Sequence, residues 1–212
     1  MKSVEAAIVH ADASLLVVDK PAGLLSVPGR GEGKQDCASV RVQALYPDAL
    51  VVHRLDMATS GLMLFARGAA MQRQLGLAFE GRDIAKRYVA VVDGLVDPDA
   101  GEIDLPIAAD WPRRPLRKID ADTGKPSRTL WHVLSQDEAA RTTRVELEPM
   151  TGRTHQLRVH LQAIGHPIVG DTLYAPPQVR DKAARLLLHA TRVEFVHPAT
   201  RERVRFESPA PF

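Results

Sequence analysis

The sequence holds a single cysteine, Cys37, among 212 residues, which excludes an internal disulfide framework and any cysteine-based zinc site and fits a reducing compartment. Cys37 is expected as buried packing. Aromatic residues make up only 5% of the chain, too few for a multi-aromatic platform that stacks long single strands. No run of about 18 consecutive apolar residues occurs. The N-terminal stretch MKSVEAAIVHADASLLVVDK is broken by His10, Asp12 and Asp19, so neither a membrane span nor a signal peptide is expected and the chain reads as cytoplasmic. Neither charge dominates: 28 Lys and Arg against 26 Asp and Glu leave +2, so only local clustering can argue for a nucleic acid partner. Repeats and low-complexity tracts are missing too, and no linker gathers the Pro and Gly residues.

What remains is ordinary globular material, 45% hydrophobic and 25% charged, at a length that suits one domain spanning 1–212. Ser14 to Val18 reads as a strand ended by Pro21-Ala22-Gly23, followed by a mobile loop through Pro28 to Gly33. Asp36 is placed to cap a helix running to about Tyr46. Leu62 to Ala66 is an apolar strand, and Met71, Leu75 and Phe79 at four-residue spacing predict a helix ending near Gly81. Residues 84–94 return to strand. Residues 144–148, 192–195 and 203–207 alternate apolar with charged, the pattern of antiparallel sheets with one wet face. Leu157, Leu161 and Ile164 describe a helix closed by Gly165. Paired strands with isolated helices make the class α+β.

Three catalytic patterns fail. The Gly29 to Lys34 stretch lacks Walker spacing and continues with Gln35; His155 and His160 are five apart without the zincin Glu; Ser60 lacks the first glycine of a nucleophile elbow, since residue 58 is Ala. No metal is expected, and both histidines read as hydrogen-bonded helix residues. Two segments stand out instead. His53-Arg54-Leu55-Asp56-Met57-Ala58-Thr59-Ser60-Gly61-Leu62 sets a charged turn just before an apolar strand, and Thr151-Gly152-Arg153-Thr154-His155-Gln156-Leu157-Arg158 presents Arg153 at the entry to a helix, where free N–H groups favour anions. By itself an Arg-x-Asp is more often a structural ion pair.

Together with 15–29 (LLVVDKPAGLLSVPG), 86–94 (KRYVAVVDG) and 186–190 (LLLHA), these segments closely resemble the RluA family of RNA pseudouridine synthases, from about Val9 to Phe212. Asp104-Leu105-Pro106-Ile107, Asp110-Trp111-Pro112-Arg113-Arg114-Pro115 and the Gly124-Lys125-Pro126 turn are similar to family members of dual specificity for tRNA and 23S rRNA. With the first synthase strand beginning by about Val9, no N-terminal S4 RNA-binding domain is expected.

The resemblance implies the pseudouridine synthase fold, a long mixed, mainly antiparallel sheet flanked by helices and loops, in one catalytic domain. It implies an isomerase that breaks the N1–C1′ bond of uridine and joins C5 to C1′, with no redox change and so no cofactor. Asp56 is then the catalytic carboxylate, Arg153 the guanidinium that keeps it ionised through a bidentate pair, and Tyr88 a ring stacked on uracil that takes part in proton removal from C5. Arg54 fills the gap left by the flipped base or makes a plain phosphate contact, with His53 supporting the loop and Thr59 beside it at the RNA. Arg113, Arg114, Arg117 and Lys118, with Lys125 and Arg128, form a basic segment for phosphate contacts. The implied partners are hairpin loops of tRNA and 23S rRNA, bound by a monomer. A catalytically silent RNA-binding module and a two-carboxylate glycoside hydrolase are the competing readings, and the motif offers only one carboxylate to the latter.

Overall fold

The computed structural model describes residues 7–31 and 33–212, so Glu32 of the glycine-rich loop lies outside the described residues. Along the chain the elements are β1 (Ile8–Ala11), β2 (Leu15–Lys20), α1 (Ala38–Gln43), β3 (Ala49–Val51), β4 (Ser60–Arg67), α2 (Ala69–Gly81), β5 (Ala85–Asp93), β6 (Ala100–Asp104) and β7 (Ile107–Ala109). A single 3-10 turn (Trp111–Arg113) follows, then β8 (Arg117–Ile119), β9 (Arg128–Asp137), β10 (Thr142–Pro149), α3 (Gln156–Ala163), α4 (Pro177–Arg180), β11 (Leu188–Val196) and β12 (Arg203–Glu207). Strands outnumber helices and pair mainly antiparallel, as the α+β reading expects. No helix among the described residues is long and apolar enough to cross a membrane. The chain forms two compact units, one holding the chain up to Lys86 with His189–Pro211, the other Arg87–Leu188 with Phe212.

The first unit is organised around β4. It pairs antiparallel with β2, from Leu15 opposite Ala66 to Lys20 opposite Gly61, and β1 extends that edge. On the other side β4 meets β11 in parallel through Ser60 and Gly61, and β3 antiparallel through Phe65 to Arg67; β12 lines the far side of β11. Leu62, Leu64 and Ala66 join Leu15, Val17, Val193 and Phe195 in one core, against which α2 sets Leu75 with Met71 and Phe79, the spacing that predicted the helix. Complete burial of a side chain such as Leu75 contributes about 1.5–3 kcal/mol. Met63 and Phe65, pointing the opposite way, are fully buried as well, which is why this strand reads as an unbroken apolar run.

Two local readings need correction. β2 runs on through Asp19 and Lys20, beyond the expected end at Val18. α1 is shorter than 36–46, ending at Gln43; at its start the Asp36 carboxylate takes a bidentate bond from Arg41 at 2.6 and 2.6 Å instead of capping, and Cys37, fully buried as expected, sits at the N-cap with no side-chain cap bond. The Gly29 loop is closed by a bond from its N–H to the Lys34 carbonyl at 2.8 Å.

In the second unit β5, β10, β9 and β6 pair antiparallel in that order, and β7 with β8 forms a separate ribbon. The 111–128 segment, expected as one basic surface stretch, is built into the 3-10 turn, β8 and the start of β9. Buried polar contacts seat α3. Arg158 donates to Asp171 through Nε (2.8 Å) and Nη2 (2.7 Å), both side chains nearly inaccessible. Burial lowers the His160 pKa, so its Nε2–H donates to the Leu105 carbonyl (3.0 Å) and Nδ1 accepts from Thr129 Oγ1 (2.9 Å).

At Gly61 β4 and β11 approach so closely that a Cβ would lie 2.3 Å from the Ala190 carbonyl oxygen, and φ is +111°. Only glycine fits both demands. Gly61→Ala is expected to cost at least about 2 kcal/mol, from overpacking and an unfavourable backbone together. Urea denaturation checks this; stability within about 0.5 kcal/mol of wild type, the range of ordinary surface changes, would contradict it.

Candidate active site

Asp56 lies in the first unit on the turn between β3 and β4, and its two neighbours are tied down from below. Ser26 Oγ donates to the Leu55 carbonyl (2.7 Å) and accepts from the Leu55 N–H (3.1 Å), with Leu55 buried. Lys20, wholly buried at the end of β2, donates from Nζ to the carbonyls of Pro21 (2.9 Å), Leu24 (2.8 Å) and Met57 (3.3 Å), and the Gly23 N–H donates to the same Met57 carbonyl (2.8 Å). A buried ammonium is tolerable only with such acceptors around it. Thr59 N–H closes the turn on the Asp56 carbonyl at 3.1 Å. Leu55 and Met57 are thus pinned, and Asp56 between them is half-exposed.

The start of β4 is fixed by a buried polar chain. Ser60 Oγ is hydrogen-bonded to His189 Nδ1 (2.8 Å), His189 Nε2 donates to Ser208 Oγ (3.0 Å), and Ser208 donates to Asp19 Oδ2 (2.6 Å). This gives the histidine of the 186–190 segment a structural task. The sequence reading did not single out Lys20, Ser26 or His189, which hold this turn and strand; the only signal was their place inside the segments that carry the family resemblance.

The other residues expected on this turn divide. Arg54 is exposed, with no ion pair among the described residues. His53 stacks on Phe79 with centroids 4.6 Å apart, and its Nε2 accepts from the Leu64 N–H at 2.8 Å. Desolvation, helped by the charge of Lys86, lowers its pKa to about 3. It is a neutral support for the loop and carries no charge toward RNA. Thr59, expected beside the RNA, is only 3% exposed, so its side chain belongs to the interior.

In the second unit Tyr88 sits on β5 opposite Leu147 of β10, half-buried, while its neighbour Arg87 turns to the other face to pair with Glu146 (3.8 Å) and Glu148. Arg153 is exposed on the loop before α3, and Gln156 shapes that loop. Its Oε1 accepts from Thr151 Oγ1 (2.8 Å) and the Arg153 N–H (3.0 Å), and its Nε2 donates to the Arg128 carbonyl (2.9 Å) and Thr129 Oγ1 (3.0 Å). The Arg153 N–H, at this helix entry, is therefore engaged within the chain. The Arg153 guanidinium Nε donates to the Pro126 carbonyl at 3.3 Å. His155, at φ 58°, makes the entry turn and is hydrogen-bonded to Tyr174 Oη (2.6 Å).

The basic segment is less free than its composition suggests. Arg113 is paired with Asp110 (2.6 Å), Lys118 with Asp120 (2.7 Å) and Arg128 with Glu102 (2.6 Å). Arg114, Arg117 and Lys125 have no carboxylate partner among the described residues. Of the six basic residues of this segment, three share their charge with a carboxylate and three do not.

Because the folded-state pKa of His53 lies below the ordinary 6.5, the unfolded chain binds a proton there that the folded chain refuses. Its contribution is fully present above about pH 6.5 and is lost as pH falls toward about 3, with His160 acting in the same direction. The urea midpoint should fall between about pH 7.5 and 5.5, above the range where carboxylates titrate, and His53→Gln, which keeps an acceptor for Leu64, should flatten that fall. An identical slope in both proteins would contradict the buried neutral imidazole.

Residues 14–163 match the profile of the family described as RNA pseudouridylate synthase. Over 205 residues the chain is 49% identical to the dual-specificity RNA pseudouridine synthase RluA of Escherichia coli (strain K12), covering 97% of this chain and 93% of that protein. It is 47% identical over 205 residues to the protein of the same name from Pasteurella multocida (strain Pm70), with the same coverage of 97% and 93%. Among solved structures, Human RNA Pseudouridylate Synthase Domain Containing 1 superposes with a TM-score of 0.81 at 31% identity, covering 97% of this chain and 84% of that one. With most of the chain inside the family profile and nearly all of it aligned at 49% identity, the chain belongs to the RluA family of RNA pseudouridine synthases, isomerases that convert uridine in RNA to pseudouridine.

Proposed function

We propose that the chain acts with dual specificity on hairpin loops, converting a uridine near the 5′ side of the tRNA anticodon loop and a uridine in a matching hairpin of 23S rRNA. Asp56 supplies the carboxylate on which the reaction turns, with Tyr88 and Arg153 in the roles that the family resemblance gives them. The observation that carries this is the Asp56 turn, half-exposed between two residues whose backbone is held by Ser26 and Lys20. A carboxylate held so firmly is suited to chemistry that depends on position. The relatives from Escherichia coli and Pasteurella multocida, named for dual specificity, support the breadth of substrate.

The reaction conserves electrons: the N1–C1′ bond breaks, the C5–C1′ bond forms, and the proton lost from C5 is balanced by one gained at N1. It needs no cofactor. Arg54 contacts the RNA backbone or fills the vacated stack, and Arg114, Arg117 and Lys125 meet phosphates. Sequence is read in the loop, where bases are splayed and accessible, and two RNAs can share one loop shape. The enzyme works as a cytoplasmic monomer, a single catalytic domain.

The test is single-turnover modification of the two isolated hairpins by wild type and Asp56→Asn. Wild type should modify both, and Asp56→Asn neither, while its affinity stays within about threefold because phosphate contacts do most of the binding. Turnover by Asp56→Asn, with deamidation excluded, would overturn the role of Asp56. Modification of one hairpin alone, or a need for the whole tRNA, would overturn dual specificity by loop recognition.

A further inference from the structure

The chain has two tryptophans, and they are used in opposite ways. Trp131 is 9% exposed and lies against Gly101, whereas Trp111 is 67% exposed. Leaving an indole in water forgoes burial worth about 25 cal/mol per Å². The mount of Trp111 is nevertheless rigid. The Asp110 N–H donates to the Leu116 carbonyl (3.1 Å), the Arg113 N–H to the Asp110 carbonyl (3.1 Å) and the Leu116 N–H to the Arg113 carbonyl (2.9 Å). The Asp110 carboxylate, 5% exposed as a residue, accepts from Arg113 Nε at 2.8 Å, and Pro112 restricts the backbone beside it. Beneath the ribbon, Ile107, Leu116 and Ile119 pack with Val159 and Tyr174, whose hydroxyl accepts from the Arg117 N–H at 2.9 Å. Trp111 is therefore held out on a braced turn.

One side of the ring is already covered. The Arg114 guanidinium carbon stands 3.7 Å from the Trp111 ring centroid, a close stack that fixes the indole plane and puts a positive charge behind it. Arg114 has no carboxylate partner among the described residues, so the positive charge behind the ring is not offset by an ion pair. The fitting ligand is flat, polarisable and attached to negative charge.

We propose that Trp111, backed by Arg114, is a stacking platform for one unpaired nucleobase of the substrate RNA, a base other than the uridine that reacts. This rests on the assignment of hairpin RNA as substrate. Base–aromatic stacking tolerates any base identity but requires a base, so the contact grips a loop nucleotide without reading it. It adds affinity without adding a charge contact.

The experiment titrates the tRNA anticodon stem-loop into wild type, Trp111→Phe and Trp111→Ala, following binding and tryptophan fluorescence. In wild type, RNA should quench the exposed indole and shield it from acrylamide. In Trp111→Phe only buried Trp131 reports, and its signal should stay constant. Trp111→Ala should weaken binding about tenfold or more, the size of one lost stack, with the salt dependence of affinity unchanged. Trp111→Phe should keep most of the affinity, and Arg114→Ala should lower both affinity and salt slope. An affinity of Trp111→Ala within about twofold of wild type would overturn the proposal, as would equal quenching by a fully paired duplex, or quenching that follows protein concentration without RNA and so reports a protein partner. Wild type that binds the hairpins but modifies neither would remove the substrate assignment and leave the stacking result standing. Wild type that binds neither would overturn both.

Discussion

The Lys20 ammonium, buried at the end of β2, organises the turn that carries Asp56. One cation gathers the carbonyls of Pro21, Leu24 and Met57, joining two loops far apart in sequence at the residue that follows the carboxylate. These acceptors help offset the cost of taking a charge from water, so moving them is unfavourable. Ser26 does the same for Leu55 on the other side, with neutral groups. The parallel contact of β4 with β11 at Gly61, and the chain from Ser60 through His189 and Ser208 to Asp19, hold the strand into which the turn leads.

The second unit uses the same economy of buried polar groups around α3. The Arg158–Asp171 pair is inaccessible to water, and Asp171 also accepts from the Leu173 and Tyr174 N–H groups, so its oxygens are well satisfied. Gln156 and His160 extend the polar network through Thr129. Removing one partner of such a pair leaves a buried charge without compensation, at about 3–5 kcal/mol. The loop that presents Arg153 is therefore set by residues that themselves face inward.

Features governed by local periodicity were legible in the sequence. The α2 stripe of Met71, Leu75 and Phe79, the apolar β4 and the alternating β10, β11 and β12 follow from side-chain spacing alone. β6 to β9 were not, because they are short or carry polar residues on exposed faces. Asp36 looked like a helix cap because its competitor Arg41, one turn on, cannot be weighed from propensity. Motif resemblance is what points to Asp56, Tyr88 and Arg153, but the residues that hold the Asp56 turn are visible only through long-range contacts. Lysine is expected on the surface, and nothing in its immediate sequence marks Lys20 as buried. Thr59 was misplaced for the same reason, its burial being decided by β4 and not by its polar neighbours.

The most direct test of the claim that Lys20 holds the Asp56 turn is the single-turnover rate of Lys20→Met on the tRNA anticodon stem-loop, measured with RNA affinity and a urea unfolding curve on the same protein. With cooperative unfolding retained, the rate should fall by about tenfold or more while affinity stays within about twofold, since the loss is of geometry at the carboxylate and not of contact with RNA. A cooperatively folded Lys20→Met protein with wild-type rate would contradict the account.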